Sequence, residues 1–349
     1  MADNMLTLPR PNLFDFATSE LSHDAFICWL ASWADPAHRA SNEALHATAT
    51  AFLDRLLELG KLPPPAGYRS IEVRRQWKDI DVLLVVNGGT AIIIEDKTDT
   101  NDHSGQLGRY KNAVSDEFQE SRIAAVYLKT GDQGNYRSVE KAGYGCLLRR
   151  DFLAVLDRGE RAGVRNDIYA DFLRRLRRIE DAVQSYRSVP LDKWDRDSNR
   201  WAGFFLALQQ SLGEGDWKYV PNQRGGFMGF WWHWRGDKYL QLEWAKLCFK
   251  INVPAEAHQA AKWLEWNHAL MRPNGTSGVK IKRSRRKAGD CMTVALLAAD
   301  YRQPDGQGRL DFEKTVQVLR DAESFMDAAA ESHDHDGAKR TIEGNGVSL

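Results

Sequence analysis

The sequence has no surplus of charge, since 48 Lys and Arg residues are matched by 48 Asp and Glu. That balance excludes a global electrostatic pull toward nucleic acid or an acidic membrane, so any polyanion site must be a local patch. Cysteine is scarce. The four present, Cys28, Cys146, Cys248 and Cys291, lack the close pairing of zinc ligands and the density of a disulfide scaffold. Reduced thiols in a cytoplasm fit that usage. No apolar run approaches the ~20 residues needed to span a bilayer. The opening MADNMLTLPRP has no signal-peptide apolar core, so a soluble cytoplasmic protein is expected. No internal repeat is visible. What is there is a globular composition with high aromatic content, including 12 tryptophans. At roughly 100–200 residues per domain, the length suggests two domains, each able to bury its own core.

The patterning divides the chain accordingly. SHDAFICWLASW places Phe26, Trp29, Leu30 and Trp33 at helical spacing, and SNEALHATATAFLDRLLELG reads as a second helix stopped by Gly60. After a PPP loop come three strand-like runs, SIEVRRQW, IDVLLVV and AIIIEDK, the last two joined across NGG as an antiparallel meander. DHSGQLGRYKNAVSDEF reads as a helix, RIAAVYLKT as a strand, and YADFLRRLRRIEDAVQSY as a further helix. Residues 1–185 therefore form an α/β block of helix, three-stranded meander, helix and strand. RSVPLDKWDRDSNR (186–199) is polar, carries a proline and lacks periodicity, as a linker would. Residues 200–330 form an aromatic-rich α+β block. It opens with the helix WAGFFLALQQSL, continues through strands including GFMGFWWHW, and closes with a helix from Asp311 to about Ala330. The polar end, 331–349, is expected to be disordered.

The stretch AIIIEDKTDT drives an apolar strand into charge. In a strand Glu95 and Lys97 share a face and Asp96 points away. The preceding strand supplies Asp81. A three-residue turn, Asn87-Gly88-Gly89, would pair Val86 with Thr90 and bring Asp81 level with Glu95, with Gly89 suited to a left-handed position. A two-residue turn would set Asp81 against Asp96, because a one-residue slip inverts the facing. In the first register two carboxylates and an amine converge. Paired anionic oxygens recruit a hard divalent cation such as Mg²⁺, which lowers the pKa of bound water and stabilises charge at phosphorus. A nearby ammonium orients that water and offsets the oxyanion. That is the logic of phosphodiester hydrolysis. A strand-end salt bridge would use the same residue types.

Asp81 followed by Glu95-Asp96-Lys97 resembles the PD-(D/E)xK nuclease superfamily, whose restriction-endonuclease-like core has the same order of helix, meander, helix and strand. D…ExK alone is a weak pattern; its neighbours sharpen it. HSGQLGRY resembles the following-helix motif of one branch, with Gln106 and Tyr110 one turn apart on one helix face. NLFDFATSELSHDAFICWLASWADP resembles the first helix of a prokaryotic family in this superfamily, with Glu20 and His23 at matching positions. The resemblance spans roughly residues 12 to 130, and Ile80 stands where the family places proline. It implies a metal-dependent nuclease using Mg²⁺ or Mn²⁺, acting on nucleic acid and above all DNA. Asp81, Glu95 and Glu20 would serve as ligands, Lys97 as the catalytic lysine, and Gln106 and Tyr110 would lie beside the site. Prokaryotic antiviral defence or mobile-element biology comes with that association. The rival classes are a non-catalytic nucleic-acid-binding or sensing module, and an assembly subunit joining a second copy or a partner through the aromatic block.

Other features carry two readings each. Glu20 also suits a helix start, and His23 a local hydrogen bond. His103 would touch phosphate or cap a helix. Asp96 and Asp99 read as solvated or structural, and HDHD (333–336) as solvated. RRLRR (174–178) flanks a helical face of Ile168, Phe172, Leu176, Ile179 and Val183 and reads as solvated. VKIKRSRRK is denser. Lys280, Lys282, Arg283, Arg285, Arg286 and Lys287 suit phosphates or a solvated turn. Trp231, Trp232 and Trp234 offer either base-stacking surface or packing in the core or a dimer.

Overall fold

The computed structural model describes residues 10–98, 105–118, 122–223, 225–272 and 278–344. The chain divides into two compact units, Met1–Asp181 and Ala182–Leu349. In the first, helices α1 (Glu20–Ser32) and α2 (Glu43–Leu59) precede strands β1 (Ile71–Trp77), β2 (Ile80–Val86) and β3 (Thr90–Lys97). There follow α3 (Gln106–Glu117), β4 (Arg122–Lys129), α4 (Arg137–Lys141), β5 (Gly145–Leu148), α5 (Arg149–Arg161) and α6 (Asp167–Gln184). The sheet order is β1-β2-β3-β4-β5. The first three strands form the expected antiparallel meander, whereas β3, β4 and β5 run parallel. Parallel neighbours cannot be joined by a hairpin, and α3 supplies the crossover from β3 to β4.

Strand alternation sorts the core into two layers. Val82, Leu84, Val86, Ile92 and Ile94 pack with Phe26, Phe52, Phe152 and Phe172 from α1, α2, α5 and α6. Leu83, Ala91 and Ile93 meet Leu107, Tyr110 and Val114 of α3 on the opposite face. With helices on both sides and a strand along each edge, β3 is buried along its whole length. That burial explains its unbroken isoleucine run. Gly60, at the end of α2, admits no side chain, since a Cβ there would come within 2.4 Å of Ala124 Cβ in β4. The helix end therefore seats directly on the sheet. Strand β5 and helix α5 add to the expected order. The strand has only four residues, too few to show a period.

The second unit contains α7 (Ser198–Leu212), β6 (Asp216–Val220), β7 (Phe227–Arg235), β8 (Lys238–Glu243) and β9 (Lys246–Asn252). It continues with α8 (Glu256–Met271), β10 (Ile281–Arg283), β11 (Cys291–Leu297) and α9 (Phe312–Gly344). The sheet is antiparallel throughout, in the order β10-β11-β9-β8-β7-β6. Trp217, Phe230, Trp232 and Phe249 share its core with Trp201, Phe204, Phe205, Trp266 and Phe325 from the helices. Of the tryptophan cluster, Trp232 is thus core. Trp231 is half-buried, and exposed Trp234 stacks on Tyr239 with ring centroids 4.1 Å apart.

Two boundaries differ from the sequence expectation. Residues 186–199 pack into the second unit, with Tyr186 in its core and Trp194 edge-on to Trp201 and Phe204, centroids 5.0 and 5.4 Å apart. Three apolar anchors, Tyr186, Leu191 and Trp194, spaced among charges hid this from a periodicity reading. At the far end, the backbone of 331–344 continues α9 where disorder was expected. Among the described residues no helix is long and apolar enough to cross a membrane.

Candidate active site

The β2–β3 hairpin pairs Val86 with Thr90 and Val82 with Ile94, the register of a three-residue turn. Its left-handed positions are Asn87 (φ 53°) and Gly88 (φ 69°); Gly89, expected to take that role, keeps a negative φ. Asparagine and glycine are the residues that accept this conformation at least cost. One step beyond Val82 and Ile94, Asp81 and Glu95 come level on the α3 face. Lys97 lies between them, its Nζ 2.6 Å from Glu95 Oε1 and 3.5 Å from Asp81 Oδ2.

Helix α3 begins at this cluster. Gly105, at φ 79°, turns the chain into the helix, and Gln106 is its first residue. The Gln106 side-chain amide donates to Glu95 Oε1 at 3.0 Å and to the Tyr110 hydroxyl at 2.6 Å. Glu95 Oε1 therefore has two donors, while Glu95 Oε2, fully buried, has no hydrogen-bond partner among the described residues. Burial, reinforced by the charge of Asp81 and opposed by Lys97, pushes the Glu95 carboxyl up to about 8. Burial alone would lower the Lys97 ammonium. The hydrogen bond and charge of Glu95, with Asp81 and Glu20, outweigh it and hold Lys97 above a free lysine. Tyr110 is also raised, chiefly by burial.

Helix α1 approaches from the other face of β3. Glu20 Oε1 accepts the Thr98 backbone N–H at 3.0 Å, and His23 Nδ1 lies 3.3 Å from Thr98 Oγ1. His23 is thus hydrogen-bonded locally and packs edge-on against Phe172. Asp96 does point away from Glu95 and Lys97, but it is not solvated. It is fully buried, with His23 Nδ1 3.9 Å away and neither carboxylate oxygen hydrogen-bonded among the described residues. Burial, then the charges of Asp24, Asp81 and Glu20, raises its pKa well above the usual carboxyl range.

Two residues in this neighbourhood were missed from sequence. Asp24 is buried, with Oδ1 unpartnered among the described residues, and burial followed by the charge of Asp81 pushes its pKa to about 7. Its signal was available, because Glu20 and Asp24 stand one helical turn apart in ELSHD. Gln76 had no such signal. Its amide contacts Asp24 Oδ2 at 3.1 Å and Asp81 Oδ1 at 3.3 Å only because β1 lies beside β2.

The carboxylates of Glu20, Asp24, Asp81, Glu95 and Asp96 thus gather at one end of β3. Buried carboxylate oxygens without donors are uncommon in folded proteins. The orphaned Glu95 Oε2, facing the same side as Asp81, fits a hard cation that takes oxygen ligands. His103 and Asp99 lie outside the described residues, as do the side chains of 333–336.

The remaining charged groups are placed differently. In RRLRR, Arg174 pairs with Asp171, Arg177 with Asp157 and Glu160, and Arg178 with Asp15. Tyr169 and Leu173 join the helix's core face, while Ile168, expected there, is exposed. Lys280, Lys282, Arg283, Arg285, Arg286 and Lys287 lie exposed on and around edge strand β10, and none has an ion pair among the described residues. Arg283 lies over the Trp263 ring, 5.4 Å from its centroid. In the second unit, Glu214, His233 and Glu323 bring potential ligand atoms within 4.8 Å of one another. Both Glu323 oxygens are already engaged, Oε1 by the Trp232 indole at 2.7 Å and Oε2 by Arg320 at 2.9 Å. That group is satisfied without a cation.

Comparison with known proteins adds one finding: a family model for the PD-(D/E)XK nuclease superfamily matches residues 11–196. No curated protein and no solved structure matches the chain.

Proposed function

The chain belongs to the PD-(D/E)XK nuclease superfamily, and from that premise we propose that it hydrolyses phosphodiester bonds of DNA with the help of Mg²⁺ or Mn²⁺. The observation that carries the reading is the Lys97 ammonium set between Asp81 and Glu95, with Glu95 Oε2 without a donor among the described residues. Asp81 and Glu95 would hold the cation, with Glu20 near enough to Thr98 to contribute through its second oxygen or through water. When bound, such a cation supplies a water of lowered pKa and positive charge beside the phosphoryl oxygens.

The chain's own groups supply the rest. Gln106 and Lys97 both grip Glu95 Oε1 and so fix which oxygen of Glu95 faces the site. Lys97 is charged at neutral pH and keeps protons to donate to the attacking water or to the oxyanion that develops at phosphorus. The Tyr110 hydroxyl accepts from Gln106 and retains its own proton for an acceptor in the site. The first turn of α3 lies at Glu95, and the unpaired N–H groups of a helix start favour phosphate. The exposed basic run 280–287 in the second unit is the natural contact for the DNA backbone away from the reacting bond.

The test uses purified full-length protein with linear, circular and single-stranded DNA and with RNA, in Mg²⁺, Mn²⁺, Ca²⁺ or chelator. Cleavage of DNA in Mg²⁺ or Mn²⁺, poor turnover in Ca²⁺ and none in chelator is the expected pattern. Full activity after exhaustive metal removal would overturn the mechanism. Metal-independent binding without cleavage would leave a nucleic-acid-binding module that keeps the fold.

A further inference from the structure

Gln76 sits at an irregular step of β1. The ladder pairs Arg75 with Val82 and Trp77 with Ile80, so Gln76 comes level with Asp81 outside the regular pairing. Its φ is +53°, in the left-handed region that glutamine seldom adopts. Held this way, its side-chain amide meets two carboxylates at once, Asp24 Oδ2 at 3.1 Å and Asp81 Oδ1 at 3.3 Å. The other Asp81 oxygen accepts the Asp96 backbone N–H at 3.0 Å and faces Lys97 Nζ at 3.5 Å. The carboxylate of Asp81 is thereby gripped from both ends, by the backbone of β3 and by Gln76. Gln76 is in turn anchored to Asp24, which is buried on α1.

We propose that Gln76 is a positioning residue for phosphodiester hydrolysis, a neutral donor that fixes the rotation of the Asp81 carboxylate and ties it to Asp24 of the first helix. The inference rests on the nuclease reading given above. Neutrality matters chemically. An arginine or lysine at this place would orient Asp81 equally well, but would cancel the negative charge a cation needs. An amide supplies direction without charge. Outer hydrogen bonds of this kind orient ligands, and their loss typically costs about 10–100-fold in metal affinity or activity.

The experiment titrates Mn²⁺ calorimetrically into the wild-type protein, Gln76→Gly, Gln76→Asn, Asp81→Asn and the Gln76→Gly/Asp81→Asn double variant. Glycine keeps the left-handed backbone and deletes the side chain with its amide. Asparagine tolerates the same φ but is one methylene short, and it serves if the glycine variant folds poorly. Each Gln76 variant should bind Mn²⁺ about ten-fold more weakly and lose kcat, with KM for DNA unchanged and circular dichroism showing a folded protein. The double variant should lose nothing beyond Asp81→Asn, because the amide acts through that carboxylate. Unchanged Mn²⁺ affinity in both Gln76 variants, or a full additive loss in the double variant, would make Gln76 a residue of the fold only. If Asp81→Asn itself leaves Mn²⁺ binding and cleavage intact, the nuclease reading fails and this inference falls with it. Asp81-dependent metal binding that is indifferent to Gln76 overturns this inference alone.

Discussion

Buried carboxylates lie at the end of β3 in the first unit and between β7 and α9 in the second, and the fold treats their oxygens in opposite ways. Glu323 has a donor on each oxygen, and Asp327 beside it accepts from His233 at 2.9 Å and Arg235 at 3.0 Å. At β3, among the described residues, Glu95 has one oxygen without a donor, Asp24 one and Asp96 two. A buried polar group without a partner costs about 1–3 kcal/mol, and a charged one more. The Glu323 carboxylate avoids that cost, whereas the carboxylates at β3 accumulate it within a few residues. The contrast teaches that the β3 cluster is not arranged for stability. Carboxyls pushed far from their ordinary pKa values at one place support the proposed active site.

The strongest way to break the comparison is to remove the charges and see which property falls. Glu95→Gln, Asp81→Asn and Lys97→Ala should each lower cleavage by about 10²–10³-fold or more, with circular dichroism and Tm showing a folded protein. Their losses should not add in combination, because the three act as a unit. Wild-type cleavage rates in all three would remove the chemical meaning of the bare oxygens. Glu323→Ala should do the opposite. By stranding the Trp232 indole and Arg320 it should lower stability by about 1–3 kcal/mol in urea unfolding, while kcat stays within two-fold. A variant as stable as wild type would show that the satisfied cluster is not structural.

A pH titration sharpens the same contrast. A carboxyl whose pKa is raised on folding holds its proton more tightly in the folded state. Stability from this source is complete below the unfolded carboxyl range near 4, and is lost as pH rises to about 7 for Asp24 and about 8 for Glu95. In chelator, Tm should therefore fall across that window. Asp24→Asn or Asp96→Asn should flatten the fall, and Mg²⁺ at pH 8 should restore part of it. A slope identical in wild type and both variants would contradict the assignment.

The smallest effect belongs to the cations, which repeat the contrast in the other sign. The arginines of 174–178 are largely paired internally, whereas those of 280–287 have no ion pair among the described residues. Replacing Arg283, Arg285 and Arg286 with Glu should weaken DNA binding and flatten the slope of log affinity against log salt by about 0.9 per lost phosphate contact. The rate at saturating substrate should hold. An unaltered salt slope would leave the run as a solvated edge.

Much of the first unit was legible because its signals are local. Strand periodicity located β1 to β4, and the isoleucine run of β3 declared burial on both faces. Two hairpin registers across Asn87-Gly88-Gly89, differing in which face Asp81 takes, were legible as alternatives, and the structure chose between them. Helical spacing set Gln106 beside Tyr110. Less was legible where an element is short, as in β5, or where apolar anchors are sparse among charges, as in 186–199.

By itself the sequence determined which residues share a strand or helix face, since that follows from fixed backbone periods, and so set Glu95 with Lys97; that Asp81 joins them was decided by the hairpin register. It did not determine what lies across the sheet from them. That Asp96 would be buried against α1 rather than solvated, that Asp24 would titrate near neutrality, and that Gln76 would bridge Asp24 to Asp81 all depend on α1 packing against strands far from it in the chain, Asp24 and Gln76 being 52 positions apart. Burial and pairing are properties of the packed interior, and no local pattern encodes them. Only the tertiary structure decided which carboxylate oxygens lack a donor among the described residues.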